Sequence, residues 1–355
     1  MKKEQMLYIM GIDWDWIYQR PQILADMLSR DYQLTVIFPR SILKSKRKLP
    51  NQAGIEFHVL WTIPYQEKNR LIGKISALLN ARLFQDINCY QYIFIGYPLY
   101  ARYVPDDYQG SIIYDCMDNH EAIYPDQKRI ANVLAKEVKL VNKSRLLTVS
   151  SELLRQKMNS IAGCPKSVLV RNGTISRDIH DITFPSAKAK YLLGYIGTIS
   201  NWFNFTLIED SLNLVSGIEY HLIGPTVVKK PLINGVVYHQ PVSRDGLWDT
   251  IKEYDCLIMP FQVNDIVMSV DPVKLYEYIA FGKCIISVYY PEIERFRDFV
   301  YFYSDRDEYI GLLESLMRKN FPPKYNKEQQ RAFLGSNTWE ERYTILKKEI
   351  DQIEI

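Results

Sequence analysis

Two side chains one helical turn apart, Lys274 and Glu277, have the types and spacing to bind an anion that also carries hydroxyl groups. The residues around them predict a short helix with Asp271 as its N-cap, Pro272 as its first residue and Gly282 as its C-terminal stop. A lysine in the first turn opposes the helix dipole, so its position favours an anion bound at this helix end. The alternative is a solvated lysine–glutamate pair, worth only about 0.2–0.5 kcal/mol.

A second group of titratable side chains follows the short apolar strand predicted at 111–114. Asp118 and His120 lie just beyond it, where a parallel sheet gathers catalytic and ligand-binding groups. Asp118 can instead cap the next turn, and a single histidine is more often structural than catalytic. With Lys274 as a cation for a departing anion, these residues are the catalytic candidates.

The first strand, predicted at 6–10, ends in a loop of glycine, aspartate and tryptophan. By the same rule, Gly11, Asp13, Trp16 and Arg20 face a ligand cleft, although the tryptophan can equally be a packing residue. The loop contains no G-x-G-x-x-G sequence, which argues against an NAD-type site.

Strands alternate with helices along the whole chain, which predicts an α/β fold with parallel sheets. A chain of 355 residues is long for one hydrophobic core, and two domains are expected. The polar segment 176–190 is the best boundary. We therefore predict domains at 1–175 and 176–335, followed by a C-terminal helical segment at 336–355.

Composition points to the reducing cytoplasm. The five cysteines are scattered without a C-x-x-C pair, so the sequence indicates neither a disulfide framework nor a zinc site. The N-terminal apolar stretch is too short for a signal peptide, and no window has the roughly 18 apolar residues of a membrane span. A soluble or peripheral protein is expected.

Two basic segments suggest contact with a membrane. Residues 40–48 carry five positive charges and no acid, and 71–84 has helical periodicity with lysine and arginine on its polar side. Lysine and arginine near an anionic lipid surface contribute about 1 kcal/mol each, so peripheral docking is one hypothesis and a solvated loop is the other. Nucleic acid is disfavoured because the rest of the chain is nearly charge-balanced.

Several motifs together resemble one enzyme family. They are Pro272-x-Lys274-Leu275-x-Glu277, Val170-Arg171-Asn172-Gly173, Tyr195-Ile196-Gly197-Thr198, Asn337-Thr338-Trp339, and Trp16 followed by Arg20-Pro21-Gln22. The set is similar to the group 1 glycosyltransferases with the GT-B fold, and especially to bacterial cell-surface polysaccharide enzymes of the teichuronic acid type.

The resemblance implies two Rossmann-like domains facing a central cleft, with the C-terminal helix crossing back to the first domain. The second domain would bind a UDP-linked sugar as the donor. The first domain would bind a glycan or lipid-linked acceptor through Gly11, Asp13, Trp16 and Arg20. Lys274 and backbone N–H groups would bind the diphosphate, and Glu277 the ribose hydroxyls. The donor-binding residues under this resemblance are Gly197, Thr198, Asp271, Val273, Lys274, Leu275 and Glu277.

The family relation also implies transfer with retention at the anomeric carbon, without a metal or another cofactor, at the inner face of the cell membrane. If transfer inverts the anomeric carbon instead, Asp118 or His120 is the candidate base.

Two departures from the family pattern keep alternatives open. Ser269 replaces the first glutamate of the family's E-x7-E pair, with Asp271 as a candidate substitute, and residues 198–205 lack the usual basic pair. A non-catalytic nucleotide-sugar-binding partner of a synthase complex is one alternative function. A sugar-nucleotide 2-epimerase is another.

Overall fold

The computed structural model describes residues 3–67, 69–124, 126–174 and 179–353. The chain divides into two compact units. Unit 1 comprises Met1–Arg171 and Arg342–Ile355, and unit 2 comprises Asn172–Glu341. The predicted boundary between residues 175 and 176 lies outside the described residues.

Unit 1 is built on one parallel sheet. Among its described residues the sheet has seven strands in the order β3-β2-β1-β4-β5-β6-β7. The strands are β1 (Gln5–Ile9), β2 (Gln33–Ser41), β3 (Ile55–Thr62), β4 (Tyr92–Ile95), β5 (Ser111–Cys116), β6 (Leu146–Val149) and β7 (Ser167–Leu169). The α-helices are α1 (Arg20–Asp31), α2 (Arg70–Asn80), α3 (His120–Ile123), α4 (Gln127–Lys143) and α5 (Glu152–Ala162). Short 3-10 helices span Ile42–Lys44, Ala81–Phe84, Ile87–Cys89 and Pro98–Tyr103.

The central strands of unit 1 are nearly continuous apolar runs because parallel strands are covered on both faces. Leu7 and Ile9 of β1 and Ile93 and Ile95 of β4 are fully buried in its core. The carboxyl ends of these strands therefore form a rigid edge that carries the loops of the candidate site.

A buried ion pair connects three elements of unit 1. The guanidinium of Arg20, at the start of α1, donates to both carboxylate oxygens of Asp115 at 2.9 and 2.6 Å. It also donates to the carbonyl of Val170 at 2.7 Å, and Thr148 on β6 donates to Asp115 at 2.6 Å. Asp115 lies inside β5 because this strand continues to Cys116, beyond its predicted end at 114. The pair orients α1 against the sheet.

The last helix, α12 (Trp339–Asp351), contributes its residues from Arg342 onward to unit 1. The hydroxyl of Tyr343 donates to the carboxylate of Asp31 at 2.6 Å. Leu346 and Ile350 are fully buried. The C-terminal turns of α12 therefore pack as part of unit 1.

Unit 2 is built on a second parallel sheet. Within the described part of this unit it has six strands in the order β10-β9-β8-β11-β12-β13. The strands are β8 (Tyr191–Ile196), β9 (Ile218–Ile223), β10 (Val236–His239), β11 (Cys256–Met259), β12 (Cys284–Val288) and β13 (Tyr301–Tyr303). The α-helices before α12 are α6 (Phe205–Leu214), α7 (Arg244–Ile251), α8 (Asp265–Met268), α9 (Val273–Ala280), α10 (Arg306–Arg318) and α11 (Lys327–Gly335), and a 3-10 helix spans Pro291–Phe296.

Two of the sequence motifs contact each other in unit 2. The N–H of Thr174 donates to the carbonyl of Asn337 at 2.9 Å, and the N–H of Trp339 donates to the carbonyl of Thr174 at 3.1 Å. A Cβ atom at Gly173 would lie 2.9 Å from the backbone of Thr338, so this crossing needs a glycine. The Asn172-Gly173 turn is thus fixed by residues more than 160 positions away in the sequence.

In the described ranges no helix is both long enough and apolar enough to cross a bilayer. All five cysteines are free.

The Arg20–Asp115 pair gives a prediction for stability. Arg20→Met leaves the Asp115 carboxylate buried without its cation, and we expect a loss of about 3–5 kcal/mol in the free energy of unfolding of unit 1. The matched control is Arg47→Met, because the Arg47 side chain is 49% exposed and 3.9 Å from Asp15. The control should cost less than about 1 kcal/mol.

Urea denaturation followed by tryptophan fluorescence and circular dichroism measures both variants. Equal, small losses for the two variants would show that the buried pair does not hold unit 1 together.

Candidate functional site

The helix that carries Lys274 begins one residue later than predicted. α9 starts at Val273 with Pro272 at the N-cap position, so Asp271 is not the cap. Proline offers no side-chain acceptor, so Pro272 caps the helix only through its carbonyl, which accepts a hydrogen bond from the N–H of Leu275. Asp271 does not cap the helix because its carboxylate binds partners elsewhere in unit 2.

Asp271 is 2% exposed and its carboxylate serves the interior of unit 2. It accepts a hydrogen bond from the N–H of Asn172 at 2.6 Å and one from the hydroxyl of Tyr276 at 3.3 Å, and it pairs with Arg295. The side-chain amide of Asn172 also donates to the carbonyl of Asp271 at 2.7 Å. These contacts give Asp271 a structural role at the entrance to α9.

Lys274 lies against the glycine turn that follows β8. Gly197 has a φ angle of +140°, and a Cβ atom there would be 2.7 Å from the Lys274 ammonium nitrogen. The positive φ angle favours glycine in this turn, and any larger residue would displace the end of the lysine side chain. The structure thus brings together two residues that the sequence placed in the donor site from separate motifs.

Burial lowers the pKa of Lys274, while the neighbouring Glu277 opposes this shift. The ammonium nitrogen lies 5.7 Å from the centre of the Tyr195 ring. An ammonium in such a setting gains from a bound anion, because the anion restores the favourable field that desolvation removes. A fully solvated surface pair does not describe this lysine.

A second glycine turn, after β9, packs against the backbone of Gly197. Gly224 has a φ angle of +136°, and a Cβ atom on it would lie 2.9 Å from the carbonyl carbon of Gly197. The N–H of Ile199 donates to the carbonyl of Pro225 at 2.9 Å. Sequence reasoning did not select Gly224, although a Gly-Pro pair directly after a predicted strand is a usable signal.

Tyr278 fixes α9 to the sheet. Its hydroxyl accepts a hydrogen bond from the N–H of Ile196 at 3.0 Å and lies 3.4 Å from the carbonyl of Ile258. Leu275 is fully buried, and its N–H donates to the carbonyl of Pro272 at 3.1 Å. The structure therefore places Leu275 in the core, while Lys274 and Glu277 point to the half-buried side of the helix.

The remaining predicted donor residues lie near the same edge. Thr198 and Val273 are half-buried, and the carbonyl of Thr198 accepts a hydrogen bond from the Tyr195 hydroxyl at 2.9 Å. Ser269, at the position of the family's first glutamate, is 1% exposed and donates to the carbonyl of Ile266 at 2.8 Å.

Unit 1 contains a cavity of about 610 Å³ at the carboxyl edge of its sheet. It is lined by Gly11, Ile12, Asp13, Trp16, Pro39, Thr62, Ile63, Tyr65, Gln66, Glu67, Tyr97, Tyr100, Tyr124 and Arg129. The hydroxyls of Tyr97 and Tyr124 are hydrogen-bonded, and Arg129 pairs with Glu67 and lies 4.4 Å from the centre of the Tyr124 ring. Aromatic faces beside a few fixed polar groups suit a saccharide ligand.

Three of the four predicted acceptor residues line this cavity and the fourth does not. Gly11, Asp13 and Trp16 are in its wall, whereas Arg20 is 3% exposed and engaged with Asp115. Asp13 also pairs with the buried Arg40 at 3.1 Å. Arg40, which the prediction included in the basic segment 40–48, is therefore an internal residue.

Asp118 and His120 lie beside the cavity wall and do not line it. Burial and the charge of Asp115 raise the pKa of Asp118 to about 6, while Arg20 opposes the shift. Burial and nearby Lys157 lower the pKa of His120 to about 4, so its imidazole is neutral at pH 7. The ring of His120 packs edge-on against Tyr97 at 5.3 Å, and its buried Nε2 atom has no hydrogen-bond partner among the described residues.

Across the described residues no group of three or more histidine, cysteine, aspartate or glutamate side chains is placed to hold a metal ion. Sequence reasoning missed the tyrosines of the cavity and the Glu67–Arg129 pair. Tyr97 lies two residues beyond the end of β4, so its position near a strand end was the available signal.

No protein-family model matches the chain. A curated protein of Bacillus subtilis (strain 168), "Putative teichuronic acid biosynthesis glycosyltransferase TuaH", is 22% identical over 295 residues, which cover 75% of this chain and 73% of that protein. Sucrose-phosphate synthase from Thermosynechococcus elongatus has a TM-score of 0.75 at 10% identity and covers 98% of this chain and 99% of its own. HepE from Anabaena, in complex with UDP and glucose, has a TM-score of 0.68 at 12% identity over 99% and 100% of the two chains.

The chain has the GT-B fold of these glycosyltransferase structures. The predicted α/β fold with two Rossmann-like domains is confirmed. The predicted resemblance to glycosyltransferases and the enzyme class are also confirmed, but only as general glycosyl transfer. The roles of individual site residues stay predictions.

Asp118 gives a prediction about pH. Its pKa of about 6 in the folded protein lies above the ordinary value of 3.8, so the folded state binds more protons than the unfolded state between these values. The contribution of Asp118 to stability is therefore present at low pH and is lost as pH rises through 6. The free energy of unfolding of wild type minus that of Asp118→Asn should fall between pH 4 and pH 7.

Urea titrations of both proteins at several pH values measure this difference. A difference that is flat or rises with pH would contradict the environment described for Asp118.

Proposed function

We propose that this chain transfers a sugar from a UDP-linked donor bound by unit 2 to an acceptor bound by unit 1, in the synthesis of a bacterial surface polysaccharide. The observation that carries the proposal is the packing of the Lys274 ammonium over the Gly197 turn at the start of α9. A cation, a close backbone approach and a helix N-terminus are the groups that a diphosphate needs. The likeness to HepE, whose structure contains UDP and glucose, supports the choice of nucleotide.

In this proposal Lys274 neutralises the diphosphate and Glu277 accepts hydrogen bonds from the ribose hydroxyls. Gly197 and Thr198 allow the phosphates to approach the backbone, and N–H groups near Val273 add donors. Negative charge grows on the departing UDP as the bond to the anomeric carbon breaks. Preorganised positive groups at that position lower the barrier.

Transfer proceeds with retention at the anomeric carbon, as the resemblance to group 1 glycosyltransferases implies. It needs no metal, because Lys274 and the helix end supply the positive field. The departing phosphate assists removal of the acceptor proton. If the reaction inverts the anomeric carbon instead, Asp118 is the better base candidate, because its pKa of about 6 suits proton transfer near neutral pH. The pKa of about 4 makes His120 a weaker base.

The acceptor is a glycan or a lipid-linked saccharide in the tyrosine-lined cavity of unit 1. Trp16 is 48% exposed and offers a ring for stacking, and Asp13 offers a carboxylate for sugar hydroxyls. The enzyme works in the cytoplasm and contacts the inner face of the cell membrane through segments 40–48 and 71–84.

The donor-site assignment predicts the behaviour of two variants. Lys274→Ala and Glu277→Ala should each lower the rate of sugar transfer by about 10²–10³-fold, because each removes an electrostatic contact to the donor. The matched controls are Lys229→Ala and Glu209→Ala, which alter exposed residues of the same unit. The measurement is transfer of radiolabelled sugar from a panel of UDP-sugars, with circular dichroism as the check on folding.

Near-wild-type transfer by either donor-site variant would contradict the assignment. UDP binding without turnover in the wild type would favour a non-catalytic binding partner, and conversion of the donor to a new sugar nucleotide without acceptor would favour an epimerase.

A further inference from the structure

Helix α2 buries polar residues and exposes apolar ones. Its buried residues are Ser76 and Asn80, while Leu71, Ile75, Leu78 and Leu79 are 67%, 50%, 76% and 52% exposed. A helix on the surface of a globular protein ordinarily buries its apolar stripe and exposes its polar one. The reversed orientation leaves a contiguous apolar face that the fold of unit 1 does not use.

Hydrogen bonds to the edge of the sheet fix this orientation. The side-chain amide of Asn80 donates to the carbonyl of Trp61 at 2.9 Å and accepts from the Trp61 N–H at 2.8 Å. The hydroxyl of Ser76 donates to the same carbonyl at 3.2 Å. Trp61 belongs to β3, the edge strand of the sheet, so Asn80 satisfies backbone groups that an edge leaves unpaired. Rotating the helix to bury its leucines would break these bonds.

Helix α2 and the segment that follows β2 carry charges of one sign only. Residues 42–49 and 70–82 contain no aspartate or glutamate. The exposed cations are Lys44, Lys46, Arg47, Lys48, Arg70, Lys74 and Arg82. The apolar side chain of Leu43, next to Lys44 in the sequence, is 80% exposed. An apolar stripe flanked by cations is the pattern of a helix that lies in the surface of an anionic bilayer. Two copies of this face would repel each other, which disfavours a second chain as the occupant.

The same helix adjoins the cavity of unit 1. Residues Ile63, Tyr65, Gln66 and Glu67 lie in the cavity wall directly before α2. The carbonyl of Gln66 would be 2.8 Å from a Cβ atom at Gly73, so this loop is packed directly on the helix. Tyr65 is 72% exposed and holds a φ angle of +65°, an uncommon conformation for a residue with a bulky side chain.

We propose that the apolar face of α2 inserts into an anionic bilayer and that the adjoining cavity receives an acceptor anchored in that bilayer. The acceptor class is then a saccharide linked to a lipid, rather than a soluble glycan. The second part of this inference rests on the proposed function, and the first part does not. A helix of 11 residues, about 16 Å long, lying in the membrane surface keeps the cavity close to the headgroups.

Vesicle flotation tests the membrane face. The variant is Leu71→Gln with Leu78→Gln, and the matched control is Leu214→Gln with Leu232→Gln, since those leucines of unit 2 are 55% and 100% exposed. Wild type and control should float with vesicles of phosphatidylglycerol and phosphatidylcholine at low salt and not with phosphatidylcholine alone. The variant should bind at least about tenfold less, because two inserted apolar side chains are lost.

Failure of the wild type to float, or equal flotation of the variant, would overturn the membrane face. A wild-type dimer that the Leu71/Leu78 variant converts to a monomer in sedimentation velocity would assign the face to a second copy. All four changed residues are exposed, so thermal melting should show the same folded state in each protein. UDP binding by calorimetry should be unchanged in the variant, which separates this inference from the donor site.

The acceptor class is tested with vesicles that contain a bacterial membrane-lipid extract and radiolabelled UDP-sugars. Wild type should move label into the organic phase of a solvent extraction, and the Leu71/Leu78 variant should move at least about tenfold less. Label only in the aqueous phase, or in neither phase, would overturn the lipid-linked acceptor. Flotation of the wild type would still test, independently of this result, whether the apolar face of α2 inserts into the bilayer.

Discussion

The packing of the Lys274 side chain over the backbone of Gly197 is the contact on which the candidate donor site depends. It needs a residue without Cβ at the end of β8, a helix that starts at Val273, and a hydroxyl on Tyr278 that fixes that helix to the sheet. Each requirement is local, and together they hold a partly desolvated ammonium at a helix N-terminus. The electrostatic consequence is a site whose positive field exists before an anion arrives.

Buried polar groups with fixed partners position the functional elements of both units. Arg20 and Asp115 hold α1 against the sheet of unit 1, and Asp271 with Arg295 and Asn172 holds the entrance to α9 in unit 2. Such pairs are costly to break because the remaining charge stays buried. They explain why several charged residues near the predicted sites serve positioning rather than ligand contact.

Local sequence pattern was sufficient for most elements and for part of the site. The strands predicted at 6–10 and 111–114 match β1 and β5 to within two residues, because buried parallel strands are short apolar runs. The glycine and lysine of the donor site were also found, from motif and dipole arguments. Strand β3 was missed, since Glu56 and His58 interrupt its apolar run and its pairing with β2 is non-local.

The remaining errors share a physical cause, which is a partner distant in sequence. Asp271 has the residue type of an N-cap, but Asn172 and Arg295 satisfy its carboxylate instead. The periodicity of α2 predicted a helix, but the Trp61 backbone at the sheet edge decides which face is buried. No local rule contains either partner.

The central claim is that Lys274 recognises the diphosphate of the donor, and calorimetric titration tests it most directly. UDP and uridine differ only in the phosphates, so the ratio of their affinities isolates this contact. Wild type should bind UDP at least about tenfold more tightly than uridine, equivalent to about 1.4 kcal/mol, and Lys274→Met should remove most of that ratio. An unchanged ratio in Lys274→Met would contradict the account.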